Sequence, residues 1–165
     1  MTTPADAALL ARLESQRQHV LGIVEGLDDE AMGKRVLPSG WSITSMLHHL
    51  TLDDERFWFG GTVAGDRAVI DWVGSGGDGW NVPGHLTGSQ AIALYTDAIE
   101  RSNAILASAS FDAPPAWWPA DLFGEYRLAT VRDVVLHVLT ETATHAGHLD
   151  AVREIIDGRQ WLVFE

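Results

Sequence analysis

Apolar residues recur at steps of three and four along four long stretches of this chain, and no stretch alternates at steps of two long enough to make a convincing strand. The first stretch, about 5–27, carries Leu9, Leu13, Gln16, Val20, Ile23 and Leu27 on one side, and Gly26 with Asp28-Asp29 marks its end. The second, about 42–63, opens at Ser42 as a cap and aligns Ile43, Met46, Leu47, Leu50, Phe57 and Trp58. The third, about 88–109, aligns Ile92, Tyr95, Ile99, Ser102 and Leu106. The fourth, about 130–157, carries Val131, Val134, Val135, Val138, Thr142, Leu149, Val152 and Ile156, with Gly158 as its stop. Four such helices predict an all-α protein, a four-helix bundle, and 165 residues predict one domain, 1–165.

The connections are uneven. Residues 28–41 form a loop through Pro38, Ser39 and Gly40. The connections between the second and third helices (about 65–87) and between the third and fourth (Asp112 to Leu128) are long enough to permit parallel neighbours. The first carries Trp72, Trp80 and His85 among glycines and aspartates, and reads as an ordered crossover or lid. Trp41, Trp58 and Trp161 read as core or cap residues; Trp117-Trp118 can wall a pocket or plug an end of the bundle. The apolar tail Trp161 to Phe164 is expected to pack onto the helices.

Charge and composition exclude several function classes. The net charge of -12 repels phosphate backbones and argues against nucleic-acid binding. No window approaches the roughly 18 apolar residues of a membrane span, and the N-terminus lacks the pattern of a signal peptide. The chain has no cysteine, so disulfides, zinc-thiolate sites and a protein thiol nucleophile are excluded. These features fit a cytoplasmic protein, and a homodimer is compatible with them.

The chemistry concentrates in two segments, Leu47-His48-His49-Leu50 and Glu141 to His148. On a helical wheel His145 lies about 40° from the centre of the fourth stripe and Glu141 about 80°. Their i, i+4 spacing stacks them on one face. A glutamate beside a valine stripe needs a partner, which is either a polar group on the next helix or a cation. His137 and His148 lie on the same side, further from the centre, where lining or supporting roles suit them. In the second helix His49 lies roughly 100° from the stripe centre and His48 roughly 150°. His49 is therefore the better inward ligand, and His48 is expected to be solvated or at a helix contact. Asp53 follows His49 at i+4 and can orient an imidazole, unless Asp53-Asp54-Glu55-Arg56 is simply a solvated charged run. Oxygen and nitrogen donors of this kind suit a divalent metal.

With these residues in view, the chain resembles the DinB-like superfamily of metal-dependent four-helix proteins. It is most similar to the branch of mycothiol-dependent maleylpyruvate isomerase and the mycothiol transferases. The resemblance rests on Gly40-Trp41-Ser42 followed by Leu47-His48-His49-Leu50, on Glu141 with His145, and on Ala146-Gly147-His148-Leu149-Asp150. Phe57-Trp58-Phe59 and Gly158-Arg159-Gln160-Trp161-Leu162 also look like the mycothiol branch. In the family the metal histidine sits nine residues after the glycine, which falls on His49. The last helix supplies two more ligands four residues apart, the first a glutamate in the mycothiol branch, which falls on Glu141 and His145. The isomerase's further C-terminal domain has no counterpart here, so maleylpyruvate isomerisation is not carried over.

The resemblance implies a metal-dependent thiol transferase. His49, Glu141 and His145 would hold the ion, zinc first, with nickel, iron or manganese as alternatives, and mycothiol would be the small-molecule thiol cosubstrate for an electrophile. Asp53 and His148 are candidates for catalysis, and His48 and Asp53 for cosubstrate contact. Two rival readings remain at this point: a non-enzymatic, stress-related metal-binding protein of the same fold, and a metal-dependent hydrolase.

Overall fold

The computed structural model describes residues 3–161, all helix, turn and loop with no strand among them. Each long helix begins where the sequence supplies a cap. Helix α1, Pro4–Val24, starts at Thr3, which trades hydrogen bonds with Asp6 in a capping box and is followed by a proline in the first turn. It stops three residues earlier than the periodicity predicts, because Gly26 turns the chain with φ of 78° before Leu27 can continue the helix. A short helix, α2 (Asp29–Gly33), interrupts the expected loop, capped by Asp28.

Ser42 and Ser45 form the capping box that opens α3, Ile43–His49. The chain then continues without a break, but the hydrogen-bond pattern changes: Leu50–Val63 is a π-helix of 14 residues. Its i→i+5 bonds widen the turn, so a 100° wheel cannot be carried through it. Every residue from Phe57 to Val63 is buried, as a helix enclosed on all sides requires. Gly60 and Gly61 let a neighbour approach closely: a side chain at Gly61 would meet Val69 at 3.0 Å. Val69 belongs to α4, Arg67–Gly74, one of two short helices in the long connections.

Helix α5, Gly88–Ser108, opens on a Thr87–Gln90 capping box. The four-residue α6, Ala120–Phe123, lies in the second connection. Helix α7, Val131–Asp157, opens on Thr130 and Asp133 and ends where Gly158 takes the left-handed conformation, φ 79°. Helix α1 packs along α7, the π segment against α5 and α7, and α3 against α5. The apolar stripes fill two clusters. One gathers Val20, Ile43, Leu47, Tyr95 and Leu149; the other gathers Leu13, Phe57, Phe59, Leu106 and Val135. Trp117 and Trp118 join the second cluster, plugging an end of the helices. Trp161 stacks on His19 and lies over Gly22, while the remainder of the apolar tail, Leu162 to Phe164, lies outside the described residues. Among the described residues no helix is long and apolar enough to cross a membrane.

Candidate functional site

The capping box at Ser42 fixes where α3 starts, and so sets both histidines in its last turn. His49 donates from Nδ1 to Asp53 Oδ2 at 2.7 Å. Asp53 is in turn held by the backbone of the long connection, since Gly79 N donates to both its carboxylate oxygens at 3.1 Å. The neighbouring His48 donates from Nδ1 to the Gly79 carbonyl at 2.5 Å. One residue of the connection, Gly79, thus anchors both histidines' surroundings through its amide and its carbonyl. Trp80, the next residue, lies flat on the His49 ring, centroids 4.3 Å apart and planes 19° from parallel.

Helix α7 brings the second set. The His145 ring meets the His49 ring edge-on, with centroids 5.0 Å apart. His145 Nε2 is 3.8 Å from Glu141 Oε2, and its Nδ1 is 3.5 Å from His148 Nδ1. Burial, then the neighbouring His49 and His148, pushes the His145 imidazole down to about 4, so it is neutral near pH 7 with a lone pair to offer. His137 packs against Trp58 with ring centroids 4.4 Å apart, and burial lowers its basicity as well. His148 is exposed.

A cleft of about 390 Å³ opens beside these groups, lined by His49, Asp53, His137 and Glu141 and walled by Phe57, Trp58, Trp72 and Phe123. A second hollow of about 570 Å³ lies beyond Trp80, between the 34–42 loop and the 80–88 loop. Its lining is polar, including Asp29, Arg35, Ser42, Ser45, Asn81 and Thr87. Trp80 both lines this hollow and covers His49.

The structure decides three points that the sequence left open. His48 is not solvated: it is buried, because the 77–80 turn packs over that side of α3, which a wheel drawn from one helix does not contain. The charged run 53–56 is not a solvated face either. Asp54 and Glu55 are buried at 3% and 1% exposure, because the π segment is surrounded by other helices. Trp117-Trp118 do not wall the cleft.

The sequence reading also passed over two groups. Asp54 lines the cleft, and its Oδ2 accepts no hydrogen bond. Burial, then Glu141, Glu55 and Asp53, pushes its carboxyl well above the usual range. Trp80 was visible only as an aromatic in a glycine-rich connection.

The donor types fit a divalent cation. The Asp53 carboxylate fixes His49 with its proton on Nδ1, leaving Nε2 as a donor, an arrangement common behind metal-binding histidines. His145 is neutral, and Glu141 supplies a carboxylate oxygen. As placed, no three His, Asp or Glu side chains among the described residues are gathered closely enough to enclose an ion.

Comparison with known proteins now adds to this geometry. No curated protein is significantly similar to the chain. The family described as Mycothiol-S-transferase matches residues 8–158, nearly the whole chain and all the groups named above. The chain therefore belongs to the mycothiol S-transferase family, whose name denotes a transferase enzyme.

Proposed function

We propose that this protein is a divalent-metal-dependent mycothiol S-transferase with a DinB-like four-helix bundle as its single domain. The observation that carries the reading is the Trp80–His49 stack between two hollows of opposite character. A two-substrate transferase needs such a division. The polar hollow suits the hydroxyl-rich body of the thiol, and the aromatic cleft suits an apolar electrophile.

His49, His145 and Glu141 are the ligand set, with zinc the favoured ion and nickel, iron or manganese the alternatives. The Glu141 side chain is 40% exposed, so rotation toward the two imidazoles costs little packing. A bound divalent ion supplies Lewis-acid stabilisation of the thiolate form of the cosubstrate. Asp53 keeps the His49 ring in one orientation and one tautomer. His48 holds the Gly79 peptide, and with it the edge of the polar hollow. His148, exposed beside His145, can accept the thiol proton and pass it to solvent. Trp80 covers one face of the His49 ring and would limit water access there. The sulfur comes from the cosubstrate because the chain has no cysteine.

Metal analysis of the purified protein, followed by calorimetric titration of the zinc-loaded form with mycothiol, tests this reading. Expected are about one ion per chain and thiol binding that disappears on chelation. Fully metallated protein that shows no thiol binding would overturn it.

A further inference from the structure

The cleft that faces His49 and Glu141 has an unusual balance of groups. Its walls are the rings of Phe57, Trp58, Trp72 and Phe123. Its polar side carries three carboxylates, Asp53, Asp54 and Glu141, and no lysine or arginine lines it. The nearby arginines are committed elsewhere. Arg17 is paired with Glu55, and Arg56 lies over the Trp72 ring and lines a different hollow, between the π segment and α5. With a divalent ion in place, its two positive charges are balanced by Asp53 and Glu141, and Asp54 adds a third acidic group. An anion entering this cleft exchanges water for carboxylates and aromatic faces, with no cationic side chain to compensate. A flat uncharged ring exchanges water for four aromatic walls.

One acceptor in the cleft is unused. Asp54 is 3% exposed, and its Oδ2 accepts no hydrogen bond from any described residue. A buried oxygen of this kind is costly to leave unmade, and a ligand N–H that reaches it recovers that cost.

We infer that this cleft selects an uncharged aromatic electrophile bearing an N–H donor, received by Asp54, and rejects carboxylate-bearing electrophiles. The inference rests on the transferase reading for the chemistry that follows binding, and on the cleft alone for selectivity. In the transfer step the thiol sulfur forms a bond to the electrophilic carbon. The bond from that carbon to a leaving group such as bromide breaks with its electron pair, and the thiol proton passes to solvent.

A matched pair of unreactive probes tests the binding. Calorimetric titration of the full chain, with and without zinc, is expected to show para-toluamide binding about tenfold or more tightly than para-toluate. Asp54→Leu removes an unpaired buried carboxyl and is expected to fold, with its helix content and melting temperature checked by circular dichroism. It should bring toluamide down to the affinity of toluene, whereas Asp54→Asn, which keeps an acceptor oxygen, should restore most of it. Equal or tighter toluate binding overturns the inference, as does toluamide affinity that ignores both substitutions.

The reactive pair, para-(bromomethyl)benzamide and para-(bromomethyl)benzoate, is then compared with mycothiol, each rate taken over its uncatalysed rate. A larger enhancement for the amide supports the inference. If neither is conjugated while toluamide still binds selectively, the cleft's selectivity stands and the transferase reading fails.

Discussion

Arg17 and Glu55 close a two-pronged ion pair in the interior, Nε to Oε1 at 2.7 Å and Nη2 to Oε2 at 2.6 Å, with both side chains sealed from solvent. Arg17 Nη1 also donates to Asn103 at 2.8 Å, so one guanidinium ties α1, the π segment and α5 together. Glu55 lies next to Asp54, so the pair also fixes which way the π segment turns its carboxylates. Parallel hydrogen bonds of this kind add directional constraint to attraction.

Removing one partner strands the other charge in the interior. Glu55→Ala is expected to cost about 3–5 kcal/mol in chemical denaturation. The double substitution Arg17→Met with Glu55→Leu should recover most of that loss, since an apolar pair of similar volume needs no desolvated charge. If the double variant is no more stable than Glu55→Ala, the cost lies in packing rather than in the stranded charge.

Gly79 has no room for a side chain. A methyl group there would come within 2.3 Å of Asp53 Oδ2, the oxygen that holds His49. Gly79→Ala is therefore expected to displace Asp53 and to weaken zinc affinity by about 10- to 100-fold, the range found when an outer partner of a metal histidine is lost. Asp53→Ala should act similarly. Competition against a chelator of known affinity measures both, and an unchanged zinc affinity in either variant counts against the orienting role of Asp53.

The proposed ligand set makes a distinction between adjacent histidines. His49→Ala and His145→Ala should each remove most bound metal, measured by elemental analysis after gel filtration. His48→Ala should retain metal near the wild-type level, because the His48 imidazole is spent on the Gly79 carbonyl. Loss of metal in His48→Ala alongside retention in His49→Ala would exchange their roles.

Asp6 provides an acid-sensitive fastener between α1 and α7. Hydrogen bonds from Arg132, then from Thr3, lower its carboxyl from 3.8 to about 2. A depressed carboxylate stabilises the fold fully above its unfolded value and stops doing so as pH falls through the folded one. Asp6→Asn should therefore be less stable than wild type by a constant amount above about pH 5, with the gap closing between about pH 4 and pH 2. Denaturation curves at several pH values check this; a gap that persists at pH 2 assigns it to something other than ionisation.

The four long stretches were legible in the sequence because they depend on local rules. Thr3, Ser42, Thr87 and Thr130 each cap the helix that follows, and Gly158 stops the last one, whatever surrounds them. The i, i+4 spacing of Glu141 and His145 is likewise a property of a single helix. Burial of polar groups is not. A solvated run stayed open for Asp54 and Glu55 because nothing within the 53–56 segment tells that α1, α5 and α7 enclose it, or that Arg17, 38 residues away, waits for Glu55. The burial of His48 was hidden for the same reason: its partner, the Gly79 carbonyl, arrives from a connection 31 residues further on. The sequence by itself determined where the four long helical stretches lie and which donors share an α-helical face. Only the tertiary structure decided which of those donors are buried, because burial is set by what packs against a helix and not by the helix itself.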